Sequence, residues 1–315
     1  MNVATRRSKL PSPASEEGAG EEGEQAPVPL KTGRVVAAHG RRFRVDDGTN
    51  IVECVTRGRK SDIVCGDQVE FNLTHADNGV IEKVAARRNL LYRSDDFRSK
   101  LIAANLDLAV VVVAAVPYFR EELLIRCLVA CESAGIPVLI VLNKADLPET
   151  AALHQRLDTY AQLGYPQITV SARGDLSELQ THLAGKTSVL VGASGVGKST
   201  LLNKLAPEAN AATGEISLAL DAGKHTTTHA RLFHLPDGGD LIDSPGMQEF
   251  GLQHLTQAAL MDAFPEIRSR AGQCRFYNCR HLKEPGCAVL AAVQAGEMLT
   301  NRLRVYQNLI SQLAS

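Results

Sequence analysis

Two short segments of this 315-residue chain have the residue types of a nucleotide-binding site. Residues 192–200, GASGVGKST, fit the pattern G-x-x-x-x-G-K-[ST] of the phosphate-binding loop. In such a loop the glycines let the backbone approach the phosphates, and the dipole of the following helix attracts the anion. Lys198 would contact the β- and γ-phosphates and take part in catalysis, and the Ser199 hydroxyl would hold Mg²⁺. We expect nucleotide contacts from Gly192, Ala193, Ser194, Gly195, Val196, Gly197, Lys198, Ser199 and Thr200.

The second segment, residues 143–146 with the sequence NKAD, fits the N-K-x-D pattern that selects guanine. The Asp146 carboxylate can accept hydrogen bonds from guanine N1–H and the 2-amino group, two donors that adenine lacks. Asn143 can brace the base and nearby loops, and the Lys144 stem can cover the ring. A surface turn after a strand is the alternative for so short a motif. The expected guanine contacts are Asn143, Lys144, Ala145 and Asp146, with Ser171 and Ala172 from a Ser-Ala element after the strand-like QITV.

Two further segments would complete the site around the γ-phosphate. Asp243 and Gly246 begin and end a D-x-x-G motif, in which the Asp reaches Mg²⁺ through water and the Gly amide senses the γ-phosphate. An HTTT segment lies between the phosphate loop and this motif, where the first switch segment belongs. One of its threonines would bind Mg²⁺ in the GTP-bound state. The alternative is that the HTTT segment is only an exposed polar turn or the start of a strand. The sequence does not distinguish among Thr226, Thr227 and Thr228.

The residue that would orient the attacking water differs from the one in many GTPases. A Gln often follows D-x-x-G directly, whereas Met247 occupies that position here. We therefore predict slow intrinsic hydrolysis with the water positioned by another group. His225 is the first candidate, and Gln248 and His229 are weaker ones.

The order of these motifs is reversed relative to an ordinary GTPase. There the phosphate loop opens the domain and the base-reading motif closes it, whereas here NKAD precedes GASGVGKST. The chain is therefore predicted to be a circularly permuted GTPase.

A third group of residues has the spacing of a metal site. Three cysteines and a histidine form C-x4-C-x-H-x5-C near the carboxyl end, which suits one tetrahedral Zn²⁺, and four protein ligands indicate a structural ion. Ordinary buried cysteines are the alternative. The predicted ligands are Cys274, Cys279, His281 and Cys287, and the cations around them that would face a polyanion are Arg268, Arg270, Arg275, Arg280 and Lys283.

The elements that must position these groups divide the chain into four parts. Residues 1–30, rich in Ser, Pro, Glu, Ala and Gly, are predicted to be disordered. Residues 31–93 contain about five short β-rich segments, for which an oligonucleotide-binding (OB) barrel is the natural candidate. Residues 94–263 alternate strands and helices, which indicates a doubly wound parallel sheet with ligand loops at the carboxyl ends of strands. Residues 264–315 form a zinc domain whose segment 288–312 reads as one closing amphipathic helix. The fold class is multidomain α/β.

The distribution of charge, the apolar segments and the cysteines limit the possible classes of function further. Residues 31–93 carry twelve Lys and Arg against eight Asp and Glu, and residues 264–315 carry seven against three. These two basic regions favour a nucleic-acid partner over the alternative that the charges only form ordinary solvated surface. Phe43 is the only aromatic residue among the barrel arginines, so stacking on bases has little support. The longest apolar run, residues 106–116, is too short to span a bilayer, and the amino terminus lacks a signal-peptide core. We expect a cytoplasmic protein, and seven unevenly spread cysteines do not suggest a disulfide framework.

With NKAD, GASGVGKST, HTTT, DSPG and the Cys/His cluster in this order, the chain resembles the bacterial RsgA (YjeQ) family over about residues 31–315. The resemblance implies a circularly permuted GTPase with an OB barrel and a zinc domain. It implies action in late maturation of the small (30S) ribosomal subunit, GTP hydrolysis stimulated by that subunit, contacts with its rRNA, and no membrane partner. We expect a monomer. The family's pattern places a histidine before the threonines, where His225 stands, and the head at residues 1–29 is not part of the resemblance.

Two other classes of function remain open from the residues alone. A P-loop ATPase or kinase would make NKAD a coincidence. A nucleic-acid-binding scaffold with weak nucleotide turnover would make the phosphate loop vestigial. GTP preference over ATP, and turnover measured with and without small subunits, separate these alternatives from the GTPase.

Overall fold

The computed structural model describes residues 30–58, 62–94, 99–209, 230–244 and 251–313. The first part of the chain is a five-stranded barrel whose strand order is β1-β2-β3-β5-β4. Antiparallel pairing of β1 with β4 closes it, and β3 pairs in parallel with β5. The strands are β1 (Lys31–His39), β2 (Arg42–Asp46), β3 (Ile51–Thr56), β4 (Gln68–His75) and β5 (Asn78–Val84).

Successive side chains of each strand point alternately into and out of the barrel, and this decides which of them fill its core. In β2 the arginines at 42 and 44 face outward, whereas Phe43 and Val45 are buried in the barrel core with Val52 and Phe71. Phe43 is therefore a core residue, and its ring is not exposed beside the arginines of β2. The little support that Phe43 gave to base stacking is therefore removed, because the period of two places this ring on the inner face.

The second part begins with a hairpin and continues into a sheet with helices. Every residue of the central strands β8, β9 and β11 is buried, as expected for parallel strands covered on both faces. The elements are β6 (Leu90–Ser94), β7 (Ser99–Ala104), β8 (Leu108–Val113), α1 (Glu121–Ser133), β9 (Val138–Leu142), α2 (Thr150–Gln162), β10 (Gln167–Thr169), α3 (Ser177–Leu183), β11 (Thr187–Gly192), α4 (Lys198–Leu205), β12 (Arg231–His234) and β13 (Asp240–Asp243).

The sheet has the predicted doubly wound arrangement. Its strand order is β10-β9-β8-β11-β13-β12, in which β12 alone runs antiparallel to its neighbour. One apolar cluster holds the buried face of α1 and α2, and a second holds that of α3 and α4 on the opposite side. Cys127 and Cys131, four residues apart in α1, are both buried in the first of these clusters.

The barrel and the sheet form one continuous eleven-stranded sheet. Strand β12 pairs with β1 through Ala37 and Arg231, and the side chains beside this junction are charged. Arg34 of the barrel donates to an Asp240 carboxylate oxygen (2.5 Å) and to the Thr187 hydroxyl (2.7 Å). Sequence patterns did not predict this junction.

The third part is a C-terminal module of short helices. Its elements are α5 (Gln257–Asp262), α6 (Pro265–Arg268), a 3₁₀ turn (Ala271–Gln273), α7 (Ala288–Gln294) and α8 (Thr300–Leu313). The prediction of one helix over 288–312 is wrong, because Gly296 (φ 74°) ends α7. The Gly296 N–H donates to Val293 O and the Glu297 N–H to Ala292 O, the two bonds of a Schellman cap.

Within the described ranges, no helix is both long enough and apolar enough to cross a bilayer. The expected disorder of residues 1–29 concerns a segment that lies outside these ranges.

Candidate functional site

The phosphate loop joins the carboxyl end of β11 to the first residue of α4. Gly192, Gly195 and Gly197 have φ angles of 148°, 81° and 102°, which favour glycine. A Cβ atom at Gly192 would lie 2.3 Å from Val112 O, and one at Gly197 would lie 2.2 Å from the Asn143 Nδ2 atom. No side chain caps α4 at Gly197, so its first N–H groups are available to an anion.

Lys198, the first residue of α4, is buried beneath this loop. Its ammonium donates to Gly192 O (2.9 Å) and Ala193 O (2.8 Å). Burial lowers the pKa of Lys198, and the neighbouring Asp243 carboxylate acts in the opposite direction. A triphosphate in the loop would give this partly desolvated cation anionic oxygens to bind, so the donor set fits a nucleotide.

Asn143 links three of the predicted motifs. It follows β9 and is buried, with its Nδ2 atom donating to Val196 O in the phosphate loop at 2.9 Å. Its Oδ1 atom accepts from the Ala172 N–H at 3.0 Å. The base-reading motif, the phosphate loop and the Ser-Ala element therefore meet at one edge of the sheet, as the rule for parallel strands requires.

Asp146 is exposed at this edge and accepts a hydrogen bond from the Ser171 hydroxyl at 2.6 Å. That hydrogen bond lowers the pKa of Asp146, so the carboxylate stays ionised as the pH falls. An ionised Asp146 is the acceptor that the N1–H and 2-amino groups of guanine need. Ala145 lies beside it and donates its N–H to Val170 O (3.0 Å).

Lys144 spans the space between the two motifs. Its ammonium donates to Val116 O (2.6 Å) and to Gly195 O (2.9 Å). Its backbone lies in the left-handed region (φ 66°), and its carbonyl accepts from the Thr150 hydroxyl at 2.7 Å. The side chain therefore braces the phosphate loop from the base-reading side.

The segment after β8 also contributes to this edge, and sequence reasoning missed it. Val116 supplies the carbonyl that Lys144 binds, and a Cβ atom at Gly195 would lie 3.3 Å from Pro117. The sequence does indicate this contribution, since the segment directly follows an apolar run typical of a buried parallel strand. Loops at the carboxyl ends of such strands surround the ligand.

The residues expected near Mg²⁺ are only partly described. Asp243 ends β13 and is buried beside the phosphate loop, and Ser244 donates its hydroxyl to Leu190 O at 2.6 Å. Ser199 and Thr200 are exposed in the first turn of α4. The predicted residues that lie outside the described ranges are His225, Thr226, Thr227, Thr228, His229, Gly246 and Gln248.

The zinc turn, residues 274–287, brings together all four predicted ligands. Their donor atoms lie within 4.8 Å of one another. The Cys274 Sγ atom is 3.9 Å from Cys287 Sγ and 3.6 Å from His281 Nδ1, and the Cys287 Sγ–His281 Nδ1 distance is 3.3 Å. A tetrahedral zinc ion with bonds of about 2.3 Å separates two thiolates by roughly 3.8 Å. Three sulfurs and one imidazole at these spacings fit one structural Zn²⁺.

Two side chains support this turn from outside the ligand set. The Glu284 carboxylate accepts the backbone N–H groups of Arg280, Leu282 and Lys283. Burial raises the pKa of Glu284, but these hydrogen bonds outweigh it and lower the pKa overall. Gln307 of α8 donates to the carbonyls of His281 and Leu282, which joins the turn to the last helix.

A buried ion pair joins two helices within the C-terminal module, α6 and α8. Arg302 of α8 is 0% exposed and binds the Glu266 carboxylate, one of the two contacts being 3.1 Å. Its Cζ atom lies 5.1, 5.8 and 6.0 Å from the ring centroids of Phe264, Tyr160 and Tyr165. The sequence placed Arg302 on an amphipathic helix, and the structure shows that it faces the protein interior.

The chain is similar to several known proteins. A family model described as RsgA GTPase matches residues 84–253. The small ribosomal subunit biogenesis GTPase RsgA of Burkholderia pseudomallei (strain K96243) is 50% identical over 287 residues, covering 89% of this chain and 91% of the relative.

Two crystal structures extend the likeness to the fold. YjeQ from Thermotoga maritima is 30% identical, with a TM-score of 0.69 over 91% of this chain and 99% of that one. YloQ, described as a circularly permuted GTPase, is 28% identical, with a TM-score of 0.67 over 94% of this chain and 98% of that one. The predicted fold class and the permuted order of the motifs are confirmed.

Proposed function

Because the chain belongs to the RsgA GTPase family, we propose that it hydrolyses GTP to GDP and phosphate in the biogenesis of the small ribosomal subunit. The observation that carries this proposal is Asn143, whose side chain bonds both the phosphate loop and the Ser-Ala element. This arrangement supports a site that senses the base and the phosphates together.

The proposed residue roles come from the sequence motifs, and the contacts of the described residues support those of Asn143, Asp146 and Lys198. Asp146 accepts from guanine, Lys198 neutralises phosphate charge, and Ser199 with Asp243 holds Mg²⁺ directly or through water. The remaining nucleotide contacts are proposed at residues 143–145, 171–172, 192–197 and 200, at one of residues 226–228, and at the Gly246 amide. His225 is proposed to orient the attacking water.

The proposed partners are the small subunit with its rRNA, and GTP or GDP. The barrel (residues 31–93) and the zinc domain (264–315) would contact rRNA on either side of the GTPase domain (94–263), with residues 1–30 as an extension. The basic balance of both flanks supports this division. One structural zinc ion, a cytoplasmic location and a monomeric state complete the proposal.

The deciding experiment is GTP turnover of the full chain with and without purified small subunits. We expect slow turnover alone and strong stimulation by small subunits, with large subunits and Lys198→Ala as controls. Unchanged turnover in the presence of small subunits would favour a nucleic-acid-binding scaffold instead. Preference for ATP in competition binding would instead indicate an ATPase or kinase.

The role of His225 has its own test. His225→Ala should lose most of the subunit-stimulated turnover at unchanged nucleotide affinity, since it would remove only the group that positions water. Gln248→Ala and His229→Ala serve as comparison variants. Stimulated turnover of His225→Ala close to wild type would end this assignment.

A further inference from the structure

The zinc turn displays two adjacent aromatic side chains to solvent. All four residues 275–278, which lie between the ligands Cys274 and Cys279, are exposed. Tyr277 is 102% exposed and Phe276 is 41% exposed. Among the described residues, these are the only exposed large hydrophobic side chains that are neighbours in sequence. Neither ring contributes to a core, so packing does not explain their position.

The backbone that carries these rings is held in place. The Cys279 N–H donates to Phe276 O (3.2 Å), and the Arg275 N–H donates to Gly286 O (3.0 Å). Gly286 has a φ of 75°, and a Cβ atom there would lie 2.9 Å from the Arg275 Cβ atom, so the two arms of the turn are in close contact. A fixed backbone presents a ring at a low ordering cost on binding.

The charges around the two rings are unbalanced. The Arg275 Cζ atom lies 5.5 Å from the centroid of the Phe276 ring. Among the described residues, no carboxylate forms an ion pair with Arg275, Arg280 or Lys283. The three acidic side chains of residues 264–315 are engaged elsewhere: Glu266 binds Arg302, Glu297 binds Arg270, and Glu284 accepts backbone N–H groups.

We propose that Tyr277 and Phe276 form a stacking platform for an unpaired RNA base, with Arg275 and Lys283 contacting the flanking phosphates. Exposed aromatics beside cations are how proteins bind single-stranded RNA, because every base offers a π-face and every nucleotide a phosphate. The positive charge favours RNA over an apolar protein surface. The inference rests on the proposed function, since the small subunit would supply the RNA.

Variants of Tyr277 in the full, zinc-loaded chain test the stacking. With purified small subunits and a GTP analogue, Tyr277→Ala and Tyr277→Leu should bind about five- to a hundredfold more weakly, whereas Tyr277→Phe should bind like wild type. Zinc content and intrinsic GTP turnover should not change, because the side chain is fully exposed. Equal binding by Tyr277→Ala, when wild type binds and is stimulated, would overturn the platform and leave the GTPase function standing.

The salt dependence of binding distinguishes the contribution of the Tyr277 ring from that of the cationic side chains. Arg275→Ala or Lys283→Ala should reduce the slope of log affinity against log salt by about one, whereas Tyr277→Ala should leave this slope unchanged. A slope lowered by Tyr277→Ala and unaffected by both cation variants would contradict the assigned roles.

A fluorescence experiment identifies the partner. The chain contains no tryptophan, so Tyr277→Trp creates a single indole reporter at the platform. We expect its emission to be quenched by a short unstructured RNA oligonucleotide as well as by small subunits. Quenching by subunits but not by the oligonucleotide or deproteinised rRNA would indicate a ribosomal protein and overturn the proposal. The oligonucleotide measurement also tests stacking if subunits fail to stimulate turnover.

Discussion

The nucleotide site and the zinc turn hold their functional side chains in different ways. The nucleotide site lies on loops that leave the buried strands β8, β9, β11 and β13, and its glycines are in close contact with backbone and side-chain atoms of neighbouring loops. The zinc turn contains no helix or strand between Cys274 and Cys287. Its shape depends on four metal-ligand atoms that lie close together, on backbone hydrogen bonds to the Glu284 carboxylate and on hydrogen bonds from the Gln307 amide.

This contrast predicts different responses to ligand loss. A sheet with two apolar faces has its own folding energy, so the nucleotide site should keep its shape without nucleotide. A turn built around thiolates must order its backbone at the moment of metal binding, so metal binding energy is also folding energy.

Removal of zinc should have the largest effect. Structural zinc contributes on the order of ten kcal/mol in small zinc modules, so chelation should unfold the zinc turn while GTP affinity persists. Amide hydrogen exchange measures the unfolding of the turn, and metal analysis measures the zinc content. Cys279→Ser should lose zinc, whereas Cys131→Ser, at a buried cysteine in α1 away from the cluster, should retain it. Purified protein without zinc, or unchanged protection after chelation, would contradict the structural ion.

Loss of the buried ion pair between α6 and α8 should have the next largest effect on stability. Arg302→Met leaves the Glu266 carboxylate buried without its partner, which should lower the free energy of unfolding by about 3–5 kcal/mol. The double variant Arg302→Met with Glu266→Gln should recover much of this loss. Urea unfolding measures both, with the exposed Arg304→Met as a matched control. A loss no larger than that of Arg304→Met would show that the pair does not stabilise the C-terminal module.

A substitution in the guanine-binding motif should have a smaller effect, and it should lower GTP affinity without unfolding the protein. Asp146→Asn replaces a charged acceptor with an amide, so GTP affinity should fall by roughly ten- to a hundredfold. Affinity for xanthosine triphosphate should rise, because its 2-oxo group accepts from the new amide. Binding competition measures both, and Asp175→Asn is the control, since Asp175 is also exposed and bonded to a serine. Unchanged selectivity would remove Asp146 from the site.

The smallest expected effect is a shift in the acid limit of GTP binding. The Ser171 hydroxyl lowers the pKa of Asp146, so Ser171→Ala should raise that pKa toward the ordinary range of an aspartate. Because the ionised form binds guanine, affinity should begin to fall at a higher pH in the variant than in wild type as acid is added. Superimposable pH profiles would show that this hydrogen bond does not tune the carboxylate.

Several features were predictable because they depend on neighbours in sequence. The motif loops follow apolar strand-like runs, and parallel strands bring such loops to one edge, so the meeting of Asn143 with the phosphate loop followed from pattern alone. The alternation in β2 that buries Phe43 was also present in the sequence, as an apolar residue at every second position between arginines. Gly296 carried the signal for the break between α7 and α8, which the continuous apolar pattern obscured.

The sequence by itself determined the residue types, their spacing and their order, and these were enough to predict the nucleotide site, the zinc ligands and the permuted fold. The tertiary structure alone decided the burial of Arg302, the contact of Lys144 with Val116 and the junction of the barrel with the sheet. Arg34 and Asp240 at that junction are 206 residues apart. Local periodicity can report which face of an element is apolar, but a polar contact between distant elements depends on how those elements pack, and no short pattern encodes that.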